Sequence, residues 1–119
     1  MKISHTILAF LFALLTSCSA LNSGTIIEAN KSFVLGQGQH GSYTASIKNT
    51  GLSPVEVFIQ LNEQTEATSL GILRKGDQNQ YKVRRDTKVT FKNMGTESTL
   101  LKIKLSGDTN LSMGYQENN

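Results

Sequence analysis

From Thr25 onward, apolar residues recur at every second position, in short runs that turn-forming residues separate. A period of two places the apolar side chains on one face of a β-strand and the polar ones on the other. No stretch shows the period of an amphipathic helix. The sequence therefore predicts an all-β fold, an antiparallel β-sandwich of about seven to nine strands. The predicted strands lie in the runs Thr25–Ala29, Lys31–Leu35, Tyr43–Lys48, Val55–Leu61, Ser69–Leu73, Tyr81–Val83, Val89–Phe91, Leu101–Leu105 and Leu111–Tyr115.

Asparagine and glycine follow two of these runs in the same order. The segment Ile47–Gly51 reads Ile-Lys-Asn-Thr-Gly, and Phe91–Gly95 reads Phe-Lys-Asn-Met-Gly 44 residues later. Duplication of half of the sandwich would produce this repeated pattern, which we call the 44-residue echo. Independent use of the same type of hairpin at two places would produce it as well. We favour the second explanation, because the identities stop beyond 15 positions. In either case we predict a structural role for these residues, since both types tolerate the positive φ of a tight connection.

The first twenty residues differ in composition from the rest of the chain. Thirteen of them are hydrophobic, against 32 of the remaining 99. Ile7–Leu15 is an unbroken apolar run of nine residues, too short to span a bilayer as a helix and typical of a secretory signal. The N-terminus therefore predicts an exported protein.

The residues after this run, Leu15-Thr16-Ser17-Cys18, match the lipobox, and here the chain resembles a bacterial lipoprotein precursor. The resemblance implies that residues 1–17 are a cleaved signal peptide, that Cys18 carries covalent lipid, and that this lipid holds the protein at a membrane. Ser19, where aspartate would favour the inner membrane, implies an outer-membrane position facing the periplasm. Residues 18–24 would be a lipidated tether and residues 25–119 a single domain. An ordinary signal peptide with an accidental cysteine is the alternative.

Side chains that carry chemistry are scarce after the leader. Cys18 is the only cysteine of the chain and His40 is the only histidine after Cys18, so zinc and copper sites lack ligands. Calcium on Glu63, Glu66 or Asp77 would lack a D-x-D-x-D cluster. We therefore predict no enzymatic activity, no metal and no cofactor apart from the lipid. A hydrolase using His40 is a weaker alternative.

The stretch from Tyr43 to Val83 resembles bacterial immunoglobulin-like modules, including cell-adhesion-related domains of envelope proteins. Lys75 stands where the turn of that family usually carries proline. The resemblance implies an immunoglobulin-like sandwich and leaves the ligand open. The matching residues are Ile47, Asn49, Gly51, Val55, Val57, Gly71, Leu73, Gly76, Tyr81 and Val83.

The segment Gly36–Gly41 is a literal G-x-G-x-x-G motif. Dinucleotide binding needs such glycines to open a helix, whereas the residues that follow alternate as a strand, so we exclude a nucleotide site. A flexible loop with a polar tip remains a candidate for binding a partner through Gln37, Gln39 and His40. Otherwise the segment is a connector.

Positive charge is concentrated between Arg74 and Lys92, where seven basic residues accompany two acidic ones. If the apolar residues of this region face the core, its other side chains share one outer face. We expect an anionic partner there, such as lipid head groups, lipopolysaccharide phosphates or acidic glycans. The alternative is a solvated face that protects an edge strand. Nucleic acid is disfavoured, because no aromatic residues interleave with the charges. The candidate residues are Lys82, Arg84, Lys88 and Lys92.

Phe58 points opposite Val57 and Ile59 if the alternation holds, and could anchor a partner or a sugar ring.

We expect a lipid-anchored binding or structural lipoprotein of the cell envelope, of undetermined ligand and oligomeric state. The main alternative is an accessory or inhibitory subunit that docks to an envelope enzyme or secretion complex by edge-strand pairing.

Overall fold

The computed structural model describes residues 20–61 and 66–118, and in that part of the chain it contains β-strands and no helix. No helix that could cross a membrane is therefore present among those residues. The all-β prediction is confirmed. The lipobox, Cys18 and Glu63 lie outside the described residues. The strands are β1 (Leu21–Ile27), β2 (Lys31–Leu35), β3 (Tyr43–Asn49), β4 (Val55–Leu61), β5 (Thr68–Leu73), β6 (Gln78–Val83), β7 (Thr87–Asn93), β8 (Thr99–Gly107) and β9 (Met113–Glu117).

The strands form two antiparallel sheets. The four-stranded sheet has the order β1-β8-β3-β6, and the five-stranded sheet has the order β5-β4-β7-β2-β9. Among the first eight strands, β1 pairs with β8, β2 with β7, β3 with β6 and β4 with β5. One long hairpin folded over on itself gives this pairing, which is the strand arrangement of a jelly roll. β9 pairs with β2 and adds a fifth strand.

The prediction of an antiparallel β-sandwich is confirmed, whereas its immunoglobulin-like detail is not. An immunoglobulin sandwich joins neighbouring strands of one sheet by hairpins. Here β4 and β5 are the only consecutive strands that pair within the described residues. The residues that match the immunoglobulin-like pattern lie on strands and turns that many sandwiches share.

The hydrophobic core lies between the sheets and consists of the inward residues of each alternating strand. Phe33 and Phe91 stack within the core, with ring centroids 6.2 Å apart. Burial of these apolar side chains supplies the main stabilisation of the sandwich. The largest completely buried apolar residues are Ile27, Leu35, Ile47, Val55, Val57, Val89, Phe91, Leu101 and Leu105.

β1 begins earlier than the sequence predicts. Leu21–Gly24, which fell in the expected tether, pair with Lys102–Leu105 of β8 and so belong to the four-stranded sheet. Asn22, Ser23 and Gly24 carry no apolar alternation, which is why the sequence did not reveal this part of the strand. Only Ser19 and Ala20 separate Cys18 from β1.

The 44-residue echo falls on corresponding strands of opposite sheets: β3 lies in the four-stranded sheet and β7 in the five-stranded one. Gly51 and Gly95 do not adopt positive φ, contrary to the reason we gave for them. These positions require glycine because neighbouring atoms leave no room for a Cβ. A Cβ on Gly51 would lie 2.6 Å from the Leu100 nitrogen, and one on Gly95 would lie 2.7 Å from the Ser53 Cβ.

The register also defines the two ends of the sandwich. Leu21 lies opposite Leu105, and Tyr43 lies opposite both Val83 and Gly107. The start of β1 therefore lies at the same end as the loops 36–42, 84–86 and 108–112, which we call the N-terminal end. The loops 28–30, 50–54, 74–77 and 94–98 lie at the other end, the distal end.

Candidate functional site

The four cations that the sequence grouped on one face lie in two different sheets. Lys82 is on β6 and Arg84 follows it, at the edge of the four-stranded sheet. Lys88 and Lys92 are on β7, inside the five-stranded sheet. The prediction of one shared face is therefore wrong. The chain passes from one sheet to the other between Arg84 and Thr87, and a two-residue alternation does not reveal such a crossing.

Lys82 and Arg84 instead share an outer face with three lysines of other strands. Lys48 lies on β3, while Lys102 and Lys104 lie on β8. All three are exposed and alternate with buried residues, so their side chains point away from the core. We call the set Lys48, Lys82, Arg84, Lys102 and Lys104 the basic face.

The basic face has no opposite charge among its own strands. The outward positions of β1, β8, β3 and β6 carry no aspartate or glutamate. Within the described part of the chain, the ion pairs are Lys31–Glu28 and Arg85–Asp86, and neither involves this face. Glu66 lines a groove beside Lys82 and Arg84, at the margin of the sheet. The five cations therefore form a positively charged surface that is open to an anion.

Two of the lysines are held close together by the sheet. Lys48 and Lys102 are direct cross-strand partners in the β3–β8 register. Like charges placed directly opposite each other destabilise a sheet, by roughly 0.2–1 kcal/mol on the scale of other cross-strand pairs. A bound anion would remove this repulsion, so the pairing favours an anionic ligand.

Small polar residues form the floor between the cations. One shallow, open depression is lined by Gly24, Ser46, Lys48, Lys102 and Lys104, together with neighbouring residues. A second is lined by Thr44, Ser106, Lys82 and Arg84, among others. Ammonium and guanidinium groups donate strong hydrogen bonds to anionic oxygens, and the hydroxyl groups add neutral donors and acceptors. The surface can thus bind a polar anion without enclosing it.

Sequence reasoning missed Lys48, Lys102 and Lys104. Alternation shows that each points away from the core, but they lie outside the segment Arg74–Lys92, where the excess of positive charge stands out. Their proximity arises because β8 lies between β1 and β3. Only the strand order reveals that the three lysines are neighbours.

The outer face of the five-stranded sheet has a different character. Lys92 lies opposite Glu56, and Phe58 lies opposite Thr90. Phe58 is half-buried and points outward, opposite Val57, as the alternation predicts. The Ser69 hydroxyl donates to the Glu56 carboxylate at 2.7 Å. This mixed surface offers no cation cluster.

The loop Gly36–Gly41 lies at the N-terminal end and does not contribute to the basic face. Gln37 and Gln39 are exposed at its tip, where Gly36 and Gly38 adopt φ of 76° and 88°. The Gly41 nitrogen donates to the Asp108 carboxylate at 2.7 Å. Backbone hydrogen bonds from Gly41 and Asn110 hold the pKa of Asp108 below its ordinary value. The loop is thus fastened to the β8–β9 connection.

His40 is half-buried, and its ring contacts the backbone. Its Nε2 lies 2.8 Å from the Thr87 carbonyl oxygen and its Nδ1 lies 2.6 Å from that of Gly41. Asp86 accepts a hydrogen bond from the His40 backbone nitrogen, at 2.9 Å, and not from the ring. The imidazole therefore ties the loop to β7. This geometry forms no serine–histidine–acid arrangement among the described residues.

The carboxylates considered for calcium do not converge. Glu66 precedes β5 at the N-terminal end, whereas Asp77 precedes β6 at the distal end. The Asp77 carboxylate accepts a hydrogen bond from the Arg74 backbone nitrogen at 2.8 Å. Within residues 20–61 and 66–118, no three His, Cys, Asp or Glu side chains are grouped as a metal site would need.

No family model and no curated protein matches the chain. Among solved structures, the chain is similar to the Drosophila melanogaster CENP-C cupin domain, with 13% identity, a TM-score of 0.54 and coverage of 72% of this chain and 56% of that one. It is also similar to the Schizosaccharomyces pombe Cnp3 cupin domain, with 18% identity, a TM-score of 0.52 and coverage of 76% and 55%. The chain thus spans just over half the length of these domains. Cupins are jelly rolls, so the comparisons and the strand order agree that the fold is a jelly-roll β-sandwich.

Proposed function

We propose that this protein is a lipid-anchored, non-catalytic binding protein of the bacterial cell envelope, and that it binds an anionic partner on the basic face. One observation carries the binding proposal: five cations share the outer face of the four-stranded sheet, whose outward strand positions hold no acidic residue. The lipobox at Leu15–Cys18 supports the anchor and the location, which we place at the outer membrane, facing the periplasm.

The mechanism is display of a binding surface near a membrane. Ser19 and Ala20 alone separate Cys18 from β1, so a lipid on Cys18 would hold the start of this sheet within about 10 Å of its attachment point. Restriction to one layer raises the effective concentration of the domain for any partner in that layer. The tether is shorter than the sequence predicts, which strengthens this effect.

A catalytic role has less support. Both ring nitrogens of His40 lie next to backbone carbonyl oxygens, and Asp86 bonds the backbone instead of the ring. A base that activates a hydroxyl group needs that hydroxyl within hydrogen-bonding reach. We therefore rank a hydrolase using His40 below binding.

Docking by edge-strand pairing also has less support than anion binding. The bulge at Val57 and Phe58 interrupts the pairing of the edge strand β5. The Tyr115 and Thr25 hydroxyl groups bond across the gap between the edges β9 and β1. Bulges and bridged edges oppose strand addition, and among the edge strands of the described residues only β6 has neither feature.

The anchor is tested by fractionation of the bacterial envelope. The wild-type protein should sediment with the outer membrane, and Cys18→Ala should move it to the soluble fraction. Retention of Cys18→Ala in the outer membrane after removal of its leader would contradict the anchor.

Binding is tested separately on immobilised dextran sulfate with a salt gradient. Lys102→Glu with Lys104→Glu should elute at much lower salt than the wild-type protein. The two charge reversals weaken the attraction to the sulfate groups, so a lower salt concentration is enough to screen it. Lys75→Glu with Lys88→Glu alters net charge equally away from the basic face and should elute close to the wild type. Equal elution of both double variants would contradict the proposed surface.

A further inference from the structure

The basic face consists of two separate cation clusters. Lys48, Lys102 and Lys104 form the first: Lys48 lies opposite Lys102, and Lys104 is two residues further along β8. Lys82 and Arg84 form the second, at the corner of the sheet nearest the N-terminal end. We call these the three-lysine cluster and the corner cluster.

The sheet geometry sets the distance between the clusters. Lys104 lies opposite Ser46, Ser46 lies opposite Gln80, and Lys82 is two residues beyond Gln80. Two strand spacings and a two-residue step give about 12 Å between the Cα atoms of Lys104 and Lys82. Lys102 and Arg84, at the far ends of the two clusters, are separated by two strand spacings and a six-residue step, about 22 Å between Cα atoms, so a single phosphate or carboxylate group cannot contact all five cations. Use of the whole surface therefore needs an extended ligand with repeated negative charge.

The surface between the clusters is polar and lacks acidic groups. Thr44, Ser46 and Ser106 present hydroxyl groups there, and Gln80 presents an amide. These groups can exchange hydrogen bonds with the hydroxyl groups of a sugar. A chain of sugars that carry carboxylate, sulfate or phosphate groups matches both the clusters and the surface between them.

An acidic peptide strand matches this surface less well. β8 and β3 are interior strands and are paired on both sides, so their backbone groups are not available to a peptide. Strand addition would occur at a sheet edge instead of across this face. A peptide would thus have to bind through its side chains alone.

A bilayer is also a poorer match. Of the exposed large apolar side chains of this sheet, Leu21 lies at the N-terminal end, whereas Ile26 and Leu100 are cross-strand partners on the outer face toward the distal end. A membrane anchored through Cys18 would lie near the N-terminal end and would meet the end of the sandwich before its flank. The corner cluster then lies nearer the membrane and the three-lysine cluster lies farther along the flank, so a ligand that uses both clusters must extend away from the membrane surface.

We propose that the two clusters together bind a linear acidic glycan, which crosses the four-stranded sheet diagonally from β8 to β6. This inference rests on the proposed function and specifies its ligand. The glycan contacts the three-lysine cluster with one charged group and the corner cluster with another, and its intervening sugars lie over Thr44 and Ser46. Both clusters are needed for tight binding, because each exposed ion pair contributes little by itself.

The test measures the binding of the full chain to oligogalacturonates from the dimer to the octamer, by fluorescence anisotropy of labelled oligomers. Affinity should rise sharply at the length that first spans both clusters, because binding at the second cluster is then intramolecular. Lys104→Glu or Arg84→Glu alone should weaken octamer binding about tenfold and abolish that rise. The milder variants Lys104→Gln and Arg84→Gln should also weaken octamer binding, each by less than the corresponding glutamate variant.

Matched controls identify the surface and the ligand class. Lys75→Glu with Lys88→Glu should leave octamer binding within about twofold of wild type, and neutral maltooligosaccharides should not bind. A smooth dependence on length, an unchanged octamer affinity in Arg84→Glu, or tighter binding to phosphatidylglycerol vesicles than to the octamer would overturn the inference. Dextran sulfate binding separates the two proposals. If the protein binds dextran sulfate but its affinity for oligogalacturonates shows no sharp rise with length, only the inference fails. If the protein does not bind dextran sulfate, both proposals fail.

Discussion

Asn49, the last residue of β3, and Asn93, the last residue of β7, join the two sheets in the same way from opposite sides. The Asn49 Nδ2 donates to the carbonyl oxygens of Ser53, at 2.8 Å, and Leu73, at 2.9 Å. Its Oδ1 accepts from the Gly51 nitrogen at 3.1 Å. Leu73 ends β5 of the five-stranded sheet, so this amide crosses from one sheet to the other.

The bonds of Asn93 match these in the opposite direction. Its Nδ2 donates to the carbonyl oxygens of Glu97, at 2.8 Å, and Ile27, at 2.9 Å, and its Oδ1 accepts from the Gly95 nitrogen at 2.9 Å. Ile27 ends β1 of the four-stranded sheet. Both asparagine side chains are buried, and each closes its own connection while it links the layers.

Replacement of either asparagine should therefore destabilise the protein strongly. Asn49→Ala leaves the Ser53 and Leu73 carbonyl oxygens without this donor in a buried site, and we expect a loss of about 2–4 kcal/mol in the free energy of unfolding. Asn93→Ala should lose a similar amount. Asn49→Asp also removes the donor, so it should not rescue. Urea denaturation measures all three.

Asn22→Ala is the matched control, because Asn22 is exposed on β1. Its free energy of unfolding should stay within about 0.5 kcal/mol of wild type. If Asn49→Ala cost no more than Asn22→Ala, the proposed link between the sheets would be wrong.

The glycines allow a graded test of close approach against backbone strain. Gly51→Ala would place its Cβ 2.6 Å from the Leu100 nitrogen, and backbone atoms cannot move aside cheaply, so we expect a loss of about 3 kcal/mol or more. Gly38→Ala meets no atom within 4 Å but requires φ of +88°, which should cost about 1 kcal/mol. Gly114→Ala meets neither obstacle and should be near neutral. Thermal unfolding of the three variants should give this order, and any other order would refute the explanation.

Tyr43 predicts an alkaline dependence of stability. Its hydroxyl is buried and has no hydrogen-bond partner in the described structure, and burial raises its pKa well above the ordinary value of 10.0. The native state therefore keeps a proton that the unfolded chain loses above pH 10, so the free energy of unfolding falls as the pH rises through this range. Tyr43→Phe should remove this part of the decline and be no less stable at pH 7, within about 1 kcal/mol.

Tyr81 provides the comparison for that measurement. Burial raises its pKa as well, and a hydrogen bond with Asn79 opposes this effect. Urea unfolding at pH 7 and pH 11 should show a smaller loss of stability in Tyr43→Phe than in the wild type, and Tyr81→Phe should lie between them. An identical loss in Tyr43→Phe and the wild type would show that Tyr43 does not carry the dependence.

Much of the fold could be predicted from the sequence, because strand alternation is a local property. Lys31–Leu35 and Val55–Leu61 are predicted and observed with the same bounds. Leu21–Gly24 escaped prediction, since this part of β1 owes its conformation to pairing with β8 and not to its own pattern. The jelly-roll order could not be predicted, because it depends on which strands meet across long connections.

The candidate surface could be predicted only in part from the sequence, because it also depends on which strands pair. Lys82 and Arg84 were identified, and they keep their place at one corner of the basic face. Lys88 belongs to the other sheet, and Lys102 is brought beside Lys48 by a pairing across more than fifty residues. Local charge density therefore identified a basic segment, whereas the binding surface is a property of the strand order.

The most direct test of the central claim is to map where an acidic oligosaccharide contacts the protein. Titration of the ¹⁵N-labelled protein with galacturonate octamer should shift the amide resonances around Lys48, Lys82 and Lys104 on the four-stranded sheet. Resonances around Lys88 and Lys92 on the opposite sheet should stay unchanged, and the shifts should disappear at high salt. Equal shifts on both sheets, or shifts confined to the Gly36–Gly41 loop, would contradict the assignment of the basic face as the binding surface.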